Sequence, residues 1–140
     1  MGPNDIKQIA LFNNLDDKHL ALIADLSADE RFRTGQVVFK EGSQGDRLYV
    51  IASGRIRISK SIPGIGEEAL AILNTGEYFG EMGLIDEFPR SADAIAHSDC
   101  ILYSVSKEDM EGLLFVNRDL AYEILWNFVR TISARLRETN

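Results

Sequence analysis

The sequence predicts a mainly β domain with flanking helices, an α+β arrangement whose β part is a sandwich, barrel or jelly roll. Three observations carry this. From about Glu30 to Ser106 the chain breaks into short alternating runs separated by Gly35, Gly42, Gly45, Gly54, Gly64, Gly66, Gly76 and Gly80. On either side of that stretch, apolar residues recur at helical spacing. Of the 140 residues 45% are hydrophobic, which suffices for the core of one domain and is too much for a disordered chain. The expected organisation is one domain over 1–140, with helices in 1–29, the β body in 30–106 and helices again in 107–140.

The elements follow in order. "MGPNDIKQIA" lacks a basic region followed by an apolar core, so it does not read as a signal peptide; Gly2, Pro3 and Asn4 read as a disordered start or a cloning scar. Ile6, Ile9, Leu11 and Phe12 predict a helical turn. "LDDKHLALIADL", Leu15 to Leu26, predicts a short helix with Asp16 as N-cap and Leu20, Ile23, Ala24 and Leu26 on one side. Strands are predicted at Val37 to Lys40, Leu48 to Ala52, Arg55 to Ser61, Glu68 to Leu73, Ala92 to Ala96 and Cys100 to Val105. Arg55-Ile56-Arg57-Ile58 alternates as a half-buried strand should. In "SKED", Ser106 is placed to cap a helix, with Asp109 three residues on. Asn117 is placed to cap a longer last helix. Its apolar residues, Leu120, Ile124, Leu125, Trp126, Phe128, Val129, Ile132 and Leu136, cover more of the wheel than one core-facing stripe needs. Two readings stay open: a second copy of the chain covers the extra face as a homodimer, or the helix is buried within one chain.

Charge narrows the partners. Fifteen basic residues stand against 22 acidic ones, a net −7, which argues against broad contact with nucleic acid or an anionic membrane surface. No apolar run approaches the ~20 residues of a membrane span. Cys100 is the only cysteine, which excludes an internal disulfide and suggests a reducing compartment, the cytoplasm.

"YFGEMGLIDEFPRSADA", Tyr78 to Ala94, combines ingredients that seldom share one element. Gly80-Glu81-Met82-Gly83-Leu84-Ile85 follows a strand and reads as the start of a short helix, where unpaired amides favour an anion. Pro89 stiffens the chain before Arg90, whose guanidinium suits a phosphate. Glu81, repelled by phosphate, suits a sugar hydroxyl, because a carboxylate only accepts. Together these residue types describe a phosphorylated sugar. Taken alone, G-E-x-G reads more readily as an ordinary helix start, with Arg90 paired to Asp86 or Glu87 at the surface.

The whole string is more specific. "FGEMGLIDEFPRSA" resembles the phosphate-binding cassette of cyclic-nucleotide-binding domains, F-G-E-x-[AG]-L followed by P-R-x-A, here over 79–92. "GQVVFKEGSQGDRLYVIASGRIRI", "LFNNLDDKHLALIADL" and "CILYSVSKEDMEGLL" resemble other parts of the same family, as found in catabolite activator protein and kinase regulatory subunits. The resemblance implies an eight-stranded β jelly roll with helices at both ends. It implies that Glu81 accepts the ribose 2′-hydroxyl and that Arg90 pairs with the cyclic phosphate. It places the amides of Gly80, Met82 and Gly83 beside the phosphate, with Ser91 and Ala92 completing the ligand-binding cassette. Ser91 leans toward cAMP with some cGMP binding. Ile58, Leu70 and Ala71 sit where the barrel wall would meet the base. A residue of the final helix would cap the base, with Arg130 and Arg135 as candidates. The implied switch draws Leu84 and Ile85 inward, to repack near Met110, Leu113 and Leu114.

The expected function is therefore a cyclic nucleotide sensor or regulatory domain with no catalytic role, no metal and no cofactor beyond its ligand. In bacterial activators of this family a helix-turn-helix follows the long helix. This chain stops at Asn140, so nucleic acid is not an expected partner, and both a stand-alone sensor and a fragment stay open. The competing classes are weaker. A cupin would need several histidines, and only His19, read as solvated, and His97, near a strand end, are present. Cys100 in a strand reads as a buried inert thiol. Asp86 and Glu87 are adjacent rather than facing across a cleft. The alternative is a ligand-free jelly-roll interaction scaffold, which need retain neither Glu81 nor Arg90.

Overall fold

The computed structural model describes residues 1–139 apart from Phe88, and for Arg135 and Thr139 the backbone alone. Two compact units emerge. One spans Ala28–Lys107; the other combines residues 1–27 with those from Glu108 onward.

The first unit holds eight strands: β1 Ala28–Phe32, β2 Val37–Phe39, β3 Arg47–Ser53, β4 Ile56–Ile62, β5 Gly66–Leu73, β6 Tyr78–Phe79, β7 Asp93–Ala96 and β8 Cys100–Ser106. They form two four-stranded antiparallel sheets, ordered β1-β8-β3-β6 and β2-β7-β4-β5. Most consecutive strands fall in different sheets, as in a jelly roll; the exception is the β4–β5 hairpin within one sheet. Six strands lie where the alternation puts them, within a residue or two. The other two, β1 and β6, carry no such signal. β1 reads ADERF, and Asp and Glu are poor strand formers. It forms because the edge of β8 offers a ladder, from Ala28 opposite Ser104 to Phe32 opposite Cys100. β6 is two residues long and pairs only with Tyr49 and Val50.

The core lies between the sheets. Tyr49, Ile51, Phe79, Cys100 and Leu102 from one sheet meet Ile56, Ala94 and Ala96 from the other. Ile56 is fully buried while Arg57 beside it is not, which is the period-two pattern read from the sequence. Cys100 is buried, and burial pushes its thiol pKa up, so it is a poor nucleophile. A bulge between Ile58 and Ser59 places Ile58 opposite Ala71 and Ser59 opposite Ala69, so Leu70 has no direct partner on β4.

The helical unit holds α1 Asp17–Asp25, most of α2 Lys107–Val116, and α3 Arg118–Thr139. Asp16 caps α1 by accepting from the His19 N–H at 2.8 Å. Ile6, Ile9, Leu11 and Phe12 are buried, as expected of a packed turn. Three expectations change. Pro3–Asp5 forms a 3-10 turn rather than a disordered start, with the Gly2 amide donating to the Asp5 carboxylate at 2.7 Å. His19 is not on a solvated face: its ring is 12% exposed, between Asp16 and Asp119 at 3.3 Å each. Asn117 precedes α3, but its side-chain amide donates back to the Leu113 carbonyl at 2.9 Å, finishing α2. Inside this unit the buried Asn127 side chain donates to the carbonyls of Leu11 and Asn13, fixing the N-terminal segment to α3.

α3 is two-sided. Leu120 and Ile124 are buried, whereas Tyr122, Leu125, Trp126, Val129 and Leu136 are exposed. The described chain therefore does not enclose this helix. No helix among the described residues is long and apolar enough to cross a membrane.

Candidate functional site

Arg90 organises the site. Its backbone is pinned from both sides: the Arg90 N–H donates to the Ser43 carbonyl, and the Gly42 N–H donates to the Arg90 carbonyl, each at 2.8 Å. Next to it, Pro89 forms an isolated bridge with Gln44. Loop 42–45 thus fixes where the arginine leaves the chain.

Three glycines surround the side chain. A Cβ on Gly80 would fall 2.8 Å from Arg90 Nη1, one on Gly83 3.2 Å from the same atom, and one on Gly45 3.2 Å from Nε. Gly80 also has φ of +79°, a left-handed conformation that disfavours other residues. These glycines let backbone approach the guanidinium closely.

The partners of Arg90 are unusual for a cation. Nη2 donates to the Arg47 carbonyl at 2.8 Å, and Nη1 reaches the Gly80 carbonyl at 3.5 Å. Its Cζ lies 4.2 Å from the centre of the Phe39 ring. Phe39 in turn abuts Phe79 and Tyr49, and those two rings stack at 5.1 Å. Nε is buried with no partner among the described residues. No carboxylate among them holds this guanidinium in an ion pair, so the surface pairing with Asp86 or Glu87 is not formed. The Lys107 ammonium lies 3.9 Å from the Glu87 carboxylate and donates to the backbone carbonyl of Asp86. Burial lowers the Arg90 pKa from its ordinary value, and the charges of Tyr49, Asp46, Asp86 and Glu81 oppose that effect. It stays a cation at any physiological pH.

This cation borders a cavity of about 460 Å³, a size suited to a small organic ligand. Of the residues singled out from sequence, Ile58, Gly80, Glu81, Met82, Gly83, Arg90, Ser91 and Ala92 all line it. Leu70 and Ala71 do not. They lie on the edge strand β5, with Ala71 opposite the lining residue Ile58. Arg130 lies on α3, over the Trp126 ring and donating to Asn127. The side chain of Arg135 lies outside the described residues.

The short helix expected after Gly80 is a single four-residue 3-10 turn, Glu81–Leu84. The Gly83 N–H closes that turn on the Gly80 carbonyl at 3.0 Å. A helix dipole therefore contributes little, and Arg90 carries the attraction for an anion.

Phe39, Gly45, Tyr78, Phe79, Asp86 and Pro89 also line the cavity, though none was put forward from the sequence as a ligand contact; Phe79, Asp86 and Pro89 belong to the cassette string itself. Phe79 had a signal, since it directly precedes Gly80. Phe39 had none, because its role depends on β2 pairing with β7, where it sits opposite Ala94.

The sequence model of the cyclic nucleotide-binding domain matches residues 29–117. The chain belongs to this family. The cyclic nucleotide-binding fold seen here is similar to the N-terminal domain of a transcriptional regulator from Streptomyces coelicolor, with a TM-score of 0.85, 31% identity, and coverage of 97% of this chain and 92% of that one. It is also similar to the catabolite activator protein of Thermus thermophilus, with a TM-score of 0.75, 35% identity, and coverage of 93% and 59%. Among curated proteins, the Cyclic AMP receptor protein of the same organism is 34% identical over 135 residues, covering 96% of this chain and 61% of the relative. A CRP-like cAMP-activated global transcriptional regulator of Mycobacterium tuberculosis is 27% identical over 135 residues, again 96% of this chain, and 58% of its own length. The chain thus spans about three fifths of the length of these relatives.

Proposed function

We propose that this chain is a cyclic nucleotide sensor that prefers cAMP, accepts some cGMP, and shifts its C-terminal helices when the nucleotide binds. The observation that carries the reading is Arg90: a half-buried guanidinium with carbonyl partners, an Nε without a partner among the described residues, and an open cavity beside it. A cyclic phosphate supplies the charge this cation lacks. Glu81, on the same cavity, accepts the ribose 2′-hydroxyl. The amides of Gly80 and Met82 and the Ser91 hydroxyl assist at the phosphate, Gly83, whose N–H closes the turn, gives the ligand room, Ala92 closes the cassette, and Ile58 meets the base, with Leu70 and Ala71 on the adjoining strand. The names of the relatives support cAMP as ligand, since two of them are cAMP-responsive regulators.

In this reading the chain is a single cytoplasmic regulatory domain without catalytic activity. Two copies pair through the exposed stripe of α3, where Tyr122, Leu125, Trp126 and Val129 recur at helical spacing. Sedimentation reads that pairing directly: a monomer mass at all micromolar concentrations removes it.

The deciding experiment is a calorimetric titration with cAMP, then cGMP, with 5′-AMP as control. Binding of the cyclic nucleotides and not of 5′-AMP is expected. No heat with any of the three, together with no thermal shift, turns the reading to a ligand-free interaction scaffold.

A further inference from the structure

Lys107 occupies a junction that the ligand site itself does not use. It is the last residue of the β unit and the first of α2. Its side chain is only 17% exposed, although lysine is usually solvated. The ammonium donates to the Asp86 carbonyl at 3.1 Å, while the Glu87 carboxylate is 3.9 Å away and largely in water. The main contact is therefore with backbone, at the point where the chain leaves the 3-10 turn. Gln44 reaches toward the next carbonyl, that of Glu87, from the other side at 3.4 Å.

The backbone of Lys107 makes a second connection. Its N–H donates to the Asp46 carbonyl at 2.7 Å. The very next carbonyl, that of Arg47, accepts from Arg90 Nη2. One lysine thus grips two segments, 45–47 and 85–87, that both bear on Arg90 and its cavity, and α2 begins at that same residue.

We propose that Lys107 is a positioning residue that couples the cassette to the start of α2, its ammonium strapping the 85–87 segment to the first helical residue. This rests on the sensor reading above. If ligand moves the turn after Gly80, the Asp86 carbonyl moves, and the strap either carries α2 with it or breaks. An ammonium on a partly buried carbonyl is a charge-assisted bond, stronger than the exposed pair with Glu87. A methionine at this position keeps the apolar stem and removes the donor.

The test is amide exchange by NMR on the full chain, with and without saturating cAMP, for the parent, Lys107→Met and Lys107→Arg. Without ligand, Lys107→Met should speed exchange at Ile85 and Asp86, whose amides bond the Met82 carbonyl, roughly tenfold. The β3 amides should not change. Its cAMP affinity should stay within about threefold of the parent, since Lys107 does not line the cavity. The cAMP-dependent change over residues 108–116 should fall by more than half, and Lys107→Arg should restore it by donating to the same carbonyl. Unchanged exchange at Ile85 and Asp86 in Lys107→Met overturns the strap. A full cAMP response over 108–116 in that variant overturns the coupling role alone. No cyclic nucleotide binding by the parent overturns the sensor reading and the coupling with it, while the ligand-free arm still decides whether the strap exists.

Discussion

Two arginines in one β unit show what a reserved charge looks like. Arg57, on the outer side of β4, is fully partnered: Nε and Nη2 form a fork onto the Glu67 carboxylate, and Nη1 contacts His97 Nδ1 at 3.2 Å. The Glu67 hydrogen bond raises its pKa, and water reaches both side chains. Arg90 is the reverse. It is half-buried, held by carbonyls and an aromatic face, with its pKa lowered by burial. A protein that only needed a stable Arg90 would give it a carboxylate, because an uncompensated charge out of water costs several kcal/mol, to order of magnitude. Among the described residues Arg90 has no ion-pair partner while Arg57 has one, and the anion proposed above would supply the missing charge.

Removing each arginine's function separates the two. Arg90→Ala should weaken cyclic nucleotide binding by about 3 kcal/mol, roughly a hundredfold, because the phosphate loses the one cationic partner that the described residues supply to the cavity wall. Arg90→Lys should recover a part only, since a single ammonium cannot bond the Arg47 carbonyl and a phosphate in the same fork geometry. Calorimetry reads both, and two variants that bind like the parent would erase the contrast between the arginines.

A smaller effect is expected at Gly80. Alanine there must adopt φ near +79° and place its Cβ 2.8 Å from both the Arg47 carbonyl and Arg90 Nη1. The conformational strain alone is about 1–2 kcal/mol, so Gly80→Ala should lower the melting temperature and weaken nucleotide binding together. A variant that lost stability and kept full affinity would show that the glycine serves the turn and not the arginine.

The smallest effect belongs to the outer face. The Arg57 hydrogen bond holds the Glu67 carboxyl below its usual range, and the Thr34 amide and hydroxyl do the same for Asp99. Both groups bind protons less readily folded than unfolded. Their contribution to stability is therefore present above the unfolded values, near pH 4, and is lost as pH falls through the lower folded values. Denaturant titrations from pH 6 to pH 3 should show a decline that Glu67→Gln makes shallower, with nucleotide affinity at neutral pH unchanged within about twofold. A large loss of affinity in Glu67→Gln would mean that the outer face is not independent of the cavity.

The sequence carried a good part of the site. Glu81 and Arg90 were legible because each is a charged residue in a string of glycines and proline, where no core or solvated helix needs it. Their chemistry follows from residue type: an acceptor-only group and a forked donor nine residues apart. The alternation of Arg55 to Ile58 was legible for a similar reason, since period two is a local property. Asp16 was legible as a cap because capping involves residues three apart.

Most of what the sequence did not carry is long-range. β1 has weak strand propensity and exists because β8 offers it an edge. Phe39 lies beneath Arg90 because β2 pairs with β7, and Gly45 touches the guanidinium because loop 42–45 pairs with Pro89 and Arg90. The Arg47 carbonyl has no signal at all, as every residue has one. His19 looked solvated because Asp119, far along the chain, was out of sight. The sequence by itself thus determined which residues have the chemistry to meet a phosphate and a sugar, since that chemistry resides in side chains and short spacings. Only the tertiary structure decided that no carboxylate among the described residues pairs with Arg90 and that Lys107 grips the segment beyond the turn, because charge pairing and burial depend on neighbours that folding brings from elsewhere in the chain.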